Sequence, residues 1–238
     1  MTLPYALPPG VVAADTYTPD RLIAQDHPPL VTQNGTIAAG QTLVRGSLLG
    51  QVLDGAATAA LNGGGSAHAN TGTGTLTMDA TTPVLGTAKP GIYTVMCVAA
   101  ATDKGTFEVK DPNGRVLGEV VSAVSPGVVF ADDIKFTLVT VNAGDFAVGD
   151  GFKVTVAAGS GQWKLAVSTA LDGSQNPAAV LAADTDASGG AVIGPLYMSG
   201  NFNTRAMTFG TGVTAANAAA ALRLLNIYLS TSQSATLV

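Results

Sequence analysis

The chain has 238 residues, 47% of them apolar, only 11% charged, and a net charge of −5 from 11 basic and 16 acidic side chains. Typical soluble domains carry about 25% charged residues, so this composition fits either a surface buried against partners or plain Thr/Ser-rich β structure. The six lysines and five arginines stand singly along the chain, which leaves no phosphate-neutralising face for nucleic acid and no polybasic patch for a membrane.

Residues 1–20 read as an extended arm. Pro4, Pro8, Pro9 and Pro19 remove backbone donors and keep the chain from coiling. Leu3, Tyr5, Leu7, Val11 and Val12 make the same stretch apolar, so it reads as a segment that docks, against the plainer reading of a disordered terminus. It has no basic residue and no apolar run of the length a secretion signal needs, and no stretch is long enough to span a membrane, so synthesis in the cytoplasm is expected.

From residue 21 the pattern becomes short strands and turns. Asn34-Gly35, between 30–33 and 36–37, predicts a hairpin turn, and the sequon Asn34-Gly35-Thr36 is read as part of it. Residues 43–53 predict a strand with glycine bulges, closed by Asp54-Gly55. Two glycine-rich stretches, 62–66 and 159–161, predict hinges around an inserted domain at 62–161. Within it, runs at 75–78, 92–98, 106–110, 116–121, 134–139 and 152–156 predict strands. Several alternate apolar and polar residues, as an antiparallel sandwich or barrel requires. Cys97, the only cysteine, sits in an apolar run and reads as a core residue. After the second hinge the first texture returns, so one domain is split as 21–61 and 162–238. Thr214 is placed to cap a helix over 215–229, with Ala216, Ala219 and Ala220 as a flat face for close packing and an apolar C-terminal half, with Leu222, Leu225, Ile227 and Leu229, that should be largely buried.

A search for catalytic chemistry finds little. His27 and His68 have no partners at metal-ligand or triad spacing. Adjacent Asp132 and Asp133 would face opposite ways in a strand. Asp184 and Asp186 share a face but read as turn residues, and Asp145 and Asp150 as hairpin ends. Neither glycine stretch opens a helix, as a phosphate loop would. No catalytic, metal or cofactor residue is assigned.

Four short motifs in order carry a resemblance: 20–26, 37–46, the run Asp172-Gly173-Ser174-Gln175-Asn176-Pro177 continuing to Asp186, and Gly200-Asn201-Phe202-Asn203. Together they resemble the lambda-like head decoration proteins of tailed bacteriophages over about 140 residues in two pieces. The resemblance implies a mainly β, β-clip-like domain, here split by an inserted β domain and ending in one helix. It implies a homotrimer on local three-fold axes of the expanded capsid, on the outer surface of the virion, with no enzymatic activity and no cofactor. The arm, through Leu3, Pro4, Tyr5, Leu7, Val11 and Val12, would contact the major capsid protein, and Ala216, Ala219, Ala220 and Leu222 would lie between subunits. The insertion departs from the smallest members. A displayed host-surface or carbohydrate-binding module is the alternative, weakened because Tyr93, Phe107, Phe130, Phe136, Phe146 and Phe152 mostly occupy core-like positions.

Overall fold

A computed structural model describes residues 21–61, 70–141 and 146–231. The predicted arm, the 62–66 glycine stretch, His68 and Asp145 therefore lie outside the described residues. Strands β1 (Ile23–Gln25), β2 (Val31–Ile37), β3 (Thr42–Leu43) and β4 (Leu48–Gln51) come first. Next come β5 (Asp54–Leu61), β6 (Thr75–Met78), β7 (Gly91–Ala101), β8 (Lys104–Lys110) and β9 (Val116–Val121). They are followed by β10 (Ala123–Val124), β11 (Val128–Ala131), β12 (Lys135–Thr140) and β13 (Gly151–Ala158). The chain then forms β14 (Trp163–Leu165), β15 (Pro177–Leu181), β16 (Thr185–Asp186), β17 (Val192–Asn203), helix α1 (Ala215–Leu224) and β18 (Ile227–Ser230).

The strands sort into two groups. In the first, β17, β15, β4, β14 and β2 pair in sequence, and β2 pairs back to β17, closing a small barrel. Ile37, Leu49, Trp163, Leu181 and Leu196 fill one cluster of its core. Leu22, Leu48, Val180, Phe202, Leu222 and Ile227 fill a second. The second group holds a five-stranded sheet, β5-β13-β7-β8-β9, and a four-stranded one built on β12. Tyr93, Val95, Phe107 and Val154 from the first sheet and Phe136 and Leu138 from the second share one buried cluster, as alternation with one wet face requires, and Ile134, just ahead of β12, joins it. Phe146 joins it edge-on to Phe107, the ring centroids 4.9 Å apart.

Three expectations are corrected here. Asn34-Gly35 is not a turn: β2 runs straight through it, paired with β17 from Val31 to Ile37. Gly35 is required because a Cβ would sit 2.5 Å from Leu196 Cδ1 and 2.7 Å from Trp163 Cδ1. Nor does Asp54-Gly55 close a strand. It opens β5, which the sequence assigns to the split domain but which pairs along β13 in the five-stranded sheet. The predicted helix ends early, at Leu224. Thr214 and Asn217 cap its start reciprocally, but Asn226 takes a left-handed conformation (φ 59°). That residue turns the chain so that Ile227 onward pairs parallel to β17 and Ile227 itself is buried. The glycines at 159–161 are tied down: Gly159 N donates to Leu53 O at 2.7 Å and Gly161 N to Val52 O at 2.9 Å.

Candidate functional site

Both ends of the described chain meet at one end of β17. β1 pairs antiparallel on one side, Ile23 opposite Phe202, while β18 pairs parallel on the other, Leu229 opposite the same residue. Asn203 fixes the entry point: its N–H donates to Leu22 O at 2.8 Å and its Nδ2 to Arg21 O at 3.1 Å. Leu22 is buried in the core beneath. On the other side the Thr231 and Thr204 hydroxyls lie 3.1 Å apart. Arg21 and Thr231, the first and last described residues, therefore lie at the same end of the barrel. Leu3, Pro4, Tyr5, Leu7, Val11 and Val12 lie outside the described residues.

Beside this root is a cavity of about 390 Å³ lined by Gln25, His27, Pro28, Asn201, Asn226 and Tyr228. Asn201 bridges its walls, donating to Gln25 Oε1 at 3.1 Å and accepting from Ser230 Oγ at 2.7 Å. Leu224, Leu225 and Tyr228 are exposed apolar side chains around the helix end. Sequence reasoning missed them because it ran the helix through this segment; Asn226, a residue that tolerates the left-handed conformation, was the available signal. On the helix itself, Ala216 and Ala220 are exposed and Ala219 half-buried, whereas Leu222 points into the chain's own core.

The carboxylates singled out by sequence are engaged in holding loops. Asp184 Oδ1 accepts from Arg45 N at 2.7 Å, and Asp186 Oδ1 accepts from Ser188 N at 2.9 Å. Asp150 accepts from the N–H groups of Thr71, Gly72 and Ala147. Burial opposes its ionisation, but these three donors outweigh it and keep it below the usual carboxylate range. Asp133 is buried against Arg115 at 3.4 Å, and Asp132 is exposed. Cys97 is 2% exposed, and burial pushes its thiol up, away from reactivity. Among the described residues, no three His, Cys, Asp or Glu side chains converge on a metal-sized site.

The described residues thus form a closed barrel whose first and last strands flank one end of β17, with the carboxylates of Asp150, Asp184 and Asp186 engaged in holding loops. The model of the family described as Bacteriophage lambda head decoration protein D matches residues 11–228, and the chain belongs to that family. It is thereby a phage head decoration protein, from a family of structural capsid proteins and not of enzymes. The match runs through the sheets of residues 54–158 as well as the two pieces that carry the motifs. None of the curated proteins compared with the chain matches it. Two crystal structures of Xanthomonas campestris FlgL are similar in part, at 22% and 23% identity with TM-scores of 0.30. They cover 48% of this chain, which spans 33% and 32% of theirs. Likeness at that level carries no argument about fold or function.

Proposed function

We propose that the chain is a capsid cement: a homotrimer on the outer surface of the phage head, at local three-fold axes, that stabilises the expanded shell. The observation that carries this reading is the family match over 11–228. The place of Arg21 at one end of the barrel supports it, because in a trimer three arms starting from that position could reach the major capsid protein together. Leu3, Pro4, Tyr5, Leu7, Val11 and Val12 are the proposed capsid contacts. Ala216, Ala219 and Ala220 are the proposed subunit contacts, with the exposed Leu224 adjoining them; Leu222, buried in its own chain, acts by holding the helix in place. Reconstruction of heads with and without the protein tests the reading: trimeric density at three-fold positions and heads that resist heating only when decorated are expected. Density elsewhere, or heads equally stable without it, would overturn it.

Two expected results follow from the same reading. Sedimentation should show trimers, either free at micromolar concentration or when released from heads; a dimer in both settings excludes the proposed assembly. The inserted sheets should contribute little to attachment. Leu53 and Gly159 already meet through a backbone hydrogen bond of 2.7 Å, so deleting 54–158 and joining them leaves the barrel's strands in register. That variant should decorate heads within about threefold of the full chain's affinity, a difference below ~1 kcal/mol. A folded deletion variant that fails to bind would place the insertion in the attachment surface.

A further inference from the structure

The chain crosses between the barrel and the inserted sheets at 53–54 and again at 158–161, and the seam there has too few donors. Leu53 N and Asp54 N both donate to Asp172 O, at 2.8 and 3.1 Å, and Gln175 Nε2 donates to Gly86 O at 2.9 Å. Beside these bonds lies a cavity of about 270 Å³, lined from the barrel side by Lys164, Leu171 and Asp172 and from the other by Thr82, Pro83 and Asp54. Asp54 is 7% exposed, and its Oδ1 is buried without a hydrogen-bond partner. Lys164, the one ammonium lining the cavity, is committed to Asp172 Oδ2 at 2.6 Å, and Ser174 Oγ takes Asp172 Oδ1 at 2.6 Å. Two further buried oxygens without donors, Asp133 Oδ1 and Gln175 Oε1, belong to residues that bond the 85–86 segment of the same seam.

A buried carboxylate oxygen with no donor calls for a positive charge or a proton. A hard cation is a poor fit, since calcium takes six to eight oxygens and both oxygens of Asp172 are already occupied. A proton needs only Asp54 itself. We propose that Asp54 is a proton-operated latch: neutral, it lets the seam close, and ionised, it loosens the hold of the barrel on the inserted sheets.

The groups facing it agree. Burial, and then the charge of Asp172, hold the Asp54 carboxyl above the ordinary range. Tyr93, from the inserted side, is pushed up to about 12, chiefly by burial, and stays neutral. The 81–84 segment brings no charge. A carboxyl raised in the folded state binds its proton more tightly there than in the unfolded chain. Its stabilising effect is therefore complete below the unfolded value of 3.8 and is lost as pH rises through the folded value. Asp150 and Asp172 are shifted the opposite way, so the difference between variant and wild type isolates Asp54.

The test is the melting temperature of the full chain and of Asp54→Asn from pH 4 to pH 8. The variant should melt about 3 °C or more above wild type at pH 8, with the gap closing by pH 4. Subtilisin should also cut near 158–161 several-fold faster in wild type than in the variant at pH 8. A gap that does not change with pH, or a variant less stable at pH 8, overturns the latch. Should Asp54→Asn fail to fold, the carboxyl carbon of Asp54 followed by NMR in wild type decides: a midpoint clearly above ~4 sustains the proposal, and one at or below ~4 ends it.

Discussion

Removing residues 1–14 is expected to weaken head binding by at least about 100-fold, equivalent to ~2.7 kcal/mol, while leaving the melting temperature within about 2 °C of the full chain. The two effects separate because the contacts that anchor β1 lie further along the chain. Among the described residues Leu22 is the first buried in the core, held by Asn203 from both its N–H and its side-chain amide across Arg21 and Leu22. A cut after residue 14 leaves residues 15–20 ahead of Arg21, so the bonds from Asn203 to Arg21 and Leu22 are retained. The proposed capsid contacts, by contrast, are all removed. Five of them are apolar side chains, each contributing roughly 1.5–3 kcal/mol when fully buried, partly offset by the entropy of ordering the segment. The prolines reduce that entropy by restricting the free chain. In a trimer the loss is repeated in three arms that act together, so avidity falls further. Undiminished decoration by the truncated chain would move the attachment surface to the barrel, with the cavity of His27, Asn226 and Tyr228 the first place to look.

The sheets of residues 54–158 were the most legible part of the sequence. Phe107 and Val109, Ile134, Phe136 and Leu138, and Phe152, Val154 and Val156 alternate with polar residues, and all are buried in one cluster. Period two is a local signal, and a two-layer core with one wet face obeys it strand by strand. The barrel was harder to read. Its strands are short, its ring closes through pairs far apart in the chain, such as Trp163 with Ile37, and glycine appears where backbone or a large ring passes close. Asn34-Gly35 carries the hairpin signature, yet the indole of Trp163, more than a hundred residues later, decides that it is strand. The end of the helix misled for a similar reason: Leu222, Leu225, Ile227 and Leu229 suit a buried helix, but Asn226 diverts the last two into a strand beside β17. The polar deficit around Asp54 was invisible, because it depends on Asp172 and the 81–84 segment arriving from separate parts of the chain.

Glycine is where that difference is easiest to measure. Gly50→Ala adds one methyl group and should lower the melting temperature by about 8 °C or more, on the order of 3 kcal/mol. Gly50 sits in β4 with Lys164 opposite on one side and Pro177 on the other. A Cβ there would lie 2.0 Å from Ser174 O, 2.6 Å from Ser174 C and 2.9 Å from Ser174 Cα. These are backbone atoms, so no rotamer change relieves the clash. The Ser174 turn cannot retreat easily either. Its hydroxyl and N–H are both held by Asp172 Oδ1, at 2.6 and 3.2 Å, and Asp172 is held in turn by Lys164. β4 cannot shift the other way, because Leu48 and Leu49 beside Gly50 are fully buried in the two barrel clusters. Gly189→Ala is the matched control: a Cβ at that position meets nothing within 4 Å. It should change stability by no more than about 0.5 kcal/mol, or ~2 °C. Thermal melts of the two variants beside wild type, at one pH, decide the matter. A Gly50→Ala chain melting within 3 °C of wild type would mean that the 172–176 turn yields far more readily than its hydrogen bonds imply, and that the barrel closes less tightly around β4 than its pairing requires.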